Sequence, residues 1–234
     1  MKKLSFTAVF AITLIIGCLA TSVAYAFKSL SHIERQPSST NLDIAILFHR
    51  MADHEPSFSK WAQTTEAFKK APKSERKRIF NEQTDVVRDM YYSASVEDPI
   101  VVHISAQIPP YDTAREAFLI ENFNNKLHFS FSHLKNNFAV IPIGITKFKW
   151  YTIPAEQLKN SGLNLKKPNI VNLQLTLTPK TADTTGAVMI DGKQHWLLSA
   201  EVDEVQMWSS RGHIMWVMDR PRPVNKDLLE IYKE

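Results

Sequence analysis

Three acidic residues, Glu201, Asp203 and Glu204, lie within four positions of one another. Two carboxylates at the right separation in a cleft can share general-acid and general-base work. The same residues on a wet sheet face would do something plainer: their charges would keep a second sheet edge from pairing there. That plainer role is the expectation, because no partner and no cleft are legible around them. Asp112 is the other acid a hydrolytic site could draw on. It follows a strand pattern in Tyr111-Asp112-Thr113-Ala114-Arg115, so a turn in which Asp112 bonds its own backbone and pairs Arg115 is the simpler reading.

Eight histidines raise the question of a metal. A catalytic zinc needs three converging ligands and an open position. His49 and His54 are five apart and off one helical face, and His128 and His133 have opposite strand parity, so neither pair has ligand spacing. No metal and no cofactor are expected. His195 and His213 flank the same strand pattern as the acids, and Trp208 is expected to face His213 beside a turn. An amphipathic ring in that setting can mark a sugar or protein contact. The candidate binding surface is therefore Trp208, His213, His195, Glu201, Asp203 and Glu204. Of the six glycines no two fall within five residues, which excludes the Walker A and GxGxxG phosphate loops. GxSxG and HExxH are absent too.

Lys69, Lys70, Lys73, Arg76, Lys77 and Arg78 form the one basic run. Its aromatic neighbours, Phe68 and Phe80, sit at core spacing and not as stacking platforms for bases, so no nucleic-acid partner is expected. On an exported chain such a run would meet anionic lipid or cell-wall polymer; a solvated helix surface is the simpler reading.

Export is suggested by residues 1–26. Lys2 and Lys3 make a positive start, an apolar run follows from Phe6 to Leu19, and Ala24-Tyr25-Ala26 is a small-x-small cleavage signal. Cleavage before Phe27 is the first expectation. Two alternatives stay open: lipidation at Cys18 within Ile15-Ile16-Gly17-Cys18, or retention of residues 6–26 as an anchor. The membrane is expected to be touched only through this segment. Cys18 is the sole cysteine, so no disulfide is available to the body. Loss of Lys2 and Lys3 with the leader lowers the formal net charge from +4 to +2, which argues for no particular partner.

Residues 27–40 read as a linker and 41–96 as a helical segment of about three helices: 42–52 capped by Asn41, 57–70, and 73–92. The third would bury Ile79, Phe80, Val86, Val87, Met90 and Tyr91. Residues 97–234 read as β. Strands are expected near 101–108, 117–123, 126–132, 138–143 and 148–153, then a short helix over 154–161. The clearest pattern is Val171, Leu173, Leu175 and Leu177 alternating with polar residues. Asp191-Gly192 supplies a type I′ turn. From His195 to Trp208 the apolar positions change from even (Trp196, Leu198, Ala200, Val202) to odd (Val205, Met207), which one inserted residue at Asp203 or Glu204 would produce. Through a turn at Ser209 to Gly212, Val205 would face Trp216, and Met207 would face Ile214. Pro221-Arg222-Pro223 would end the sheet, and Leu228 to Tyr232 would dock as a short helix. The fold class is α+β, helices packed on an antiparallel sandwich or partly closed barrel.

The Tyr111 to Arg115 stretch with Phe118, together with Trp196-Leu197-Leu198-Ser199-Ala200-Glu201-Val202, resembles exported bacterial domains of families that have no assigned function. The resemblance implies export and supplies no active site. The expected function is a non-enzymatic binding domain of the periplasm or envelope with a protein or cell-wall partner. The alternatives are a small hydrolase of envelope polymer and an anchored subunit of an envelope complex.

Overall fold

The computed structural model of the protein describes residues 34–153, 162–209 and 212–219. The leader with Cys18, the helix expected over 154–161, positions 210–211 of the expected turn, and the segment after 219 lie outside them.

Four helices, not three, are present among the described residues: α1 (Asn41–Met51), α2 (Phe58–Ala62), α3 (Glu66–Lys70) and α4 (Arg76–Ser93). Thr40, not Asn41, caps α1. Its hydroxyl accepts from the Asp43 N–H at 3.2 Å while the Asp43 carboxylate accepts from the Thr40 N–H at 2.8 Å, a capping box. Asn41 instead uses its side-chain oxygen to accept from the Ser132 N–H, tying α1 to the sheet. The helix expected over 57–70 breaks in two because Thr64 and Thr65 turn their hydroxyls back to the carbonyls of Trp61 and Ala62. Thr65, in extended backbone, then caps α3 by accepting from the Phe68 N–H. In α4 the buried positions are Val87 and Tyr91, whereas Val86 and Met90 are exposed. The expected stripe was too wide because only one edge of this helix meets the core.

The strands are β1 (Ile100–Ile108), β2 (Ala117–Leu119), β3 (Phe129–His133), β4 (Asn136–Ile143), β5 (Trp150–Thr152), β6 (Asn169–Ala182), β7 (Val188–Ile190), β8 (Lys193–Trp208) and β9 (Ile214–Asp219). They form a mostly antiparallel, nearly closed, barrel-like sheet in the order β1-β6-β8-β4-β3, with β7 and β9 also on β8, and a separate β2-β5 pair. β8 is the spine. β6 lines one edge of it, while β4 and then β9 share the other. The β4–β8 pairing is parallel, Phe138 beside Trp196 through Ile143 beside Glu201, where antiparallel neighbours were expected. β3–β4 and β7–β8 are local hairpins, but β4 and β8 meet across a long connection that alternation alone cannot orient.

The β7–β8 turn has Asp191 at φ 48° and Gly192 at φ 76°, as type I′ requires. Thr176 pairs Glu204 and Leu177 pairs Val202, so Asp203 is the extra residue of a bulge. Val202 and Val205 consequently both enter the core, at 1% and 0% exposure. A second shift leaves Lys180 unpaired opposite Ser199 and Ala200. Two bulges within a few residues bend the long β6–β8 ribbon, which lets a single sheet curl around its own core. That core is one cluster. Phe48 of α1 packs its ring against Phe138 and Trp196 at 5.2 and 5.8 Å, and Leu173, Leu175, Leu177, Leu198 and Val205 lie beneath with no exposed surface.

The register of β9 differs from expectation. Val205 faces Met218, Met207 faces Trp216 and Trp208 faces Ile214, with a shift between Met207 and Trp208 that leaves Met215 as an added residue. The loop before β9 is closed by Ser209 N–H to His213 O at 2.8 Å and by the Ser209 hydroxyl accepting from His213 N–H. His213 is thus a loop residue and pairs with no strand position.

Candidate functional site

β8 carries most of the expected surface, and its local chemistry decides what each residue can do. Before the bulge the outward side chains are at odd positions; after it they are at even ones. Glu201 reaches Lys180 at 3.2 Å, Asp203 accepts from the Thr178 hydroxyl, and Glu204 accepts from Gln206 Nε2 at 2.6 Å. Gln206 Oε1 in turn accepts from the indole N–H of Trp208 at 3.1 Å. The three acids are therefore strung along one strand, each held by a neighbour on the sheet. They do not face one another across a cleft.

Trp208 is a correction. It was expected on an open face opposite His213, but it is 5% exposed and its N–H is already bonded. The polar row continues inward: Gln174, directly across from Gln206, is fully buried and accepts from the Gln36 N–H at 3.0 Å, with His103 Nε2 at 3.1 Å from the same oxygen. At Gln174, Gln206 and Trp208 the outer face is a largely hydrogen-bonded row, reached by Gln36 at Gln174, and a tryptophan with its N–H satisfied can be buried there.

His195 and His213 stand at opposite ends of β8, and the fold does not bring them together. His195 has other company. Its Nδ1 is 3.0 Å from the Lys193 carbonyl, which can only accept, so Nδ1 carries the proton and Nε2 faces the Ser130 hydroxyl at 3.5 Å. His128 lies beside it, with ring centroids 6.5 Å apart and its own Nε2 3.5 Å from Asp191. Asp112 accepts from the N–H groups of Ala114 and Arg115 and approaches Arg115 Nε at 3.6 Å, the turn read from sequence.

The basic run is largely answered within its own helices. Lys69 and Lys70 pair Glu66, Arg78 bridges Glu75 and Glu82, and Arg76 lies 5.6 Å over the Phe68 ring. Such exposed pairs contribute little to stability, but they leave Lys73, Arg76 and Lys77 as the members without an ion pair among the described residues.

A ligand-sized concavity opens elsewhere, between the α1–α2 turn and the β3–β4 hairpin, with a volume of about 430 Å³. Its walls are Pro56, Trp61 and Leu134, with His49, His54, Lys60 and Lys135 around them. The turn that builds it is a Schellman motif. Asp53 takes φ 49°, the Asp53 N–H donates to Arg50 O at 3.3 Å and the His54 N–H donates to His49 O at 3.0 Å. This folds His54 back on His49, with ring centroids 5.5 Å apart and a 27° interplanar angle. The two histidines set aside for lying off one helical face are thus neighbours because the helix ends between them. The signal was present in Met51-Ala52-Asp53-His54-Glu55-Pro56: a residue tolerant of positive φ at the helix end, with a proline soon after.

His49 Nδ1 lies 3.0 Å from the His54 carbonyl, and its ring is edge-on to Trp61 at 5.3 Å. Behind Trp61, at 4.8 Å, sits His133, 8% exposed, whose Nε2 has no partner among the described residues. Burial lowers the pKa of His49; the His54 carbonyl opposes this and a charge on His54 adds to it. Burial likewise lowers His133, with a smaller contribution from His49. Both imidazoles are accordingly neutral near neutral pH.

The chain matches no family model, no curated protein and no solved structure. Among the described residues no three His, Cys, Asp or Glu side chains are grouped so as to hold a metal ion. No described helix is long and apolar enough to cross a membrane.

Proposed function

We propose that the protein is an exported, non-catalytic binding domain of the bacterial cell envelope. The leader pattern of residues 1–26 supports export. The binding reading rests on one observation: the ligand-sized concavity is walled by Trp61, Pro56 and Leu134 and rimmed by cations, while the acids that could do hydrolytic work are tied to neighbours along β8. A cleft lined by apolar walls with a few convergent polar groups is the usual form of a ligand site. Among the described residues that line it, only Glu55 supplies a carboxylate, and it accepts from the Tyr92 hydroxyl.

The test is to express the full chain in a bacterium, measure the mass of its mature N-terminus, and incubate the purified protein with cell-wall sacculi and with envelope extract. A start at Phe27 and stoichiometric association without soluble products support the reading. Release of soluble wall fragments sinks it. A start at Cys18 or Met1 keeps export but makes the protein an anchored subunit.

A second reading is favoured by the Ser130–His195 pair, a hydroxyl nucleophile facing a base whose tautomer is fixed by Lys193. In a hydrolase His195 Nε2 would take the Ser130 proton as Oγ attacks an ester or amide carbonyl. Labelling of Ser130 by a fluorophosphonate, lost in His195→Gln, would establish it; an unlabelled chain would remove it.

A further inference from the structure

The concavity beside Trp61 has a chemistry specific enough to name its ligand class, an inference that rests on the binding-domain reading. Two charged side chains at its rim, Lys60 and Lys135, are exposed and form no ion pair among the described residues. Arg50, the other cation nearby in sequence, turns away to Ala94 O and the Tyr91 ring. The apolar wall is equally deliberate. Leu134 holds φ 55° at the hairpin turn with 51% of its surface in water, an arrangement that is strained in backbone and costly in hydration. A glycine or asparagine would make that turn more easily, so the turn's own geometry gives no reason for a leucine. Beneath, the His133 ring lies edge-on to Trp61, and its buried Nε2 has no partner among the described residues.

We infer that this cleft binds a small organic carboxylate, its apolar or aromatic body against Trp61, Pro56 and Leu134 and its charge between Lys60 and Lys135. The volume of about 430 Å³ falls in the range of small-molecule sites. A mostly apolar wall with two cations free of ion pairs, one carboxylate already bonded to Tyr92, and no arginine among the described lining residues suits a monoanion with a hydrocarbon body better than a phosphate, which would call for denser hydrogen-bond donation.

The groups that titrate around the cleft set the pH response. They are His49 from α1, Asp53, His54 and Glu55 from the turn, Lys60 from α2, His133 from β3 and Lys135 from the hairpin. Of these, burial lowers the proton affinity of His49 and His133 and holds both imidazoles neutral in the empty cleft. An anion favours the imidazolium form, so binding takes up protons and tightens as pH falls.

The experiment is calorimetric titration of the purified protein with phenylacetate at about pH 6 and about pH 8. Phenylacetamide serves as the uncharged control and inorganic phosphate as the control without a hydrocarbon body. The variant is Lys60→Gln with Lys135→Gln, two exposed positions whose exchange leaves the fold intact. Phenylacetate should bind at least about tenfold tighter than phenylacetamide and than phosphate, lose about tenfold in the double variant, and bind severalfold tighter at the lower pH. Equal binding of acid and amide, phosphate binding as well as phenylacetate, or an unchanged double variant each overturns the inference, as does no heat up to about 10 mM ligand. Should the double variant still associate with envelope material as the parent does, the ligand assignment falls and the binding-domain reading stands.

Discussion

His133→Phe should make this protein more stable, and more so in acid. His133 is 8% exposed, its Nε2 has no partner among the described residues, and its ring meets Trp61 edge-on at 4.8 Å. A buried polar atom without a hydrogen bond costs about 1–3 kcal/mol. Phenylalanine keeps the ring contact and removes that atom, while its slightly greater bulk costs up to about 1 kcal/mol in a packed site. The net gain is about 1 kcal/mol at neutral pH, or about 2–4 °C in Tm for a chain of this size. The pH term adds to it. Burial lowers the folded-state pKa of His133 from 6.5, so below that value the unfolded chain binds a proton that the folded chain refuses. Stability from this residue is therefore complete above about pH 6.5 and is lost as pH falls, at a slope of at most about 1.4 kcal/mol per pH unit for one proton. The variant has no such proton, so its advantage should widen from pH 8 to pH 5. His49, shifted the same way, leaves part of the slope in place. Urea unfolding of both proteins at a series of pH values measures this. A variant that is less stable, or that keeps the full slope, would mean that Nε2 is satisfied in solution and that the burial argument is wrong.

Leu198→Ala should cost about 3–5 kcal/mol by urea unfolding, since this fully buried residue sits on the spine strand between Val140 and Ala182. Thr40→Ala removes the hydroxyl half of the α1 capping box and should cost about 1 kcal/mol in the same assay. Asp53→Gly should stabilise by about 0.5–1 kcal/mol, because glycine takes φ 49° without strain and an acid leaves the negative end of a helix dipole. Its thermal midpoint should rise with no change in far-ultraviolet circular dichroism.

What can be read locally in this chain is what steric and hydrogen-bonding rules write locally. The alternation of Val171 to Leu177 dictates a strand with one core face, Asp191-Gly192 dictates a type I′ turn, and the parity change between Val202 and Val205 calls for a bulge at Asp203 or Glu204, which strand pairing places at Asp203. Asp112 makes its turn because its own side chain supplies the bonds. Other features depended on partners remote in sequence. The parallel pairing of β4 with β8, the bulge at Met215 that moved β9 by its register, and the burial of Trp208 follow from which edges and faces the closed sheet leaves available. The cleft is the sharpest case. His49 and His54 are spaced wrongly for one helical face, and only the end of α1 at a left-handed Asp53 stacks them. Trp61 arrives on a second helix and His133 on a strand seventy-two positions further along, so their meeting is a product of packing. Periodicity reports which face of one element is apolar; it carries no information on which other element will cover that face, and the site lies where three elements meet.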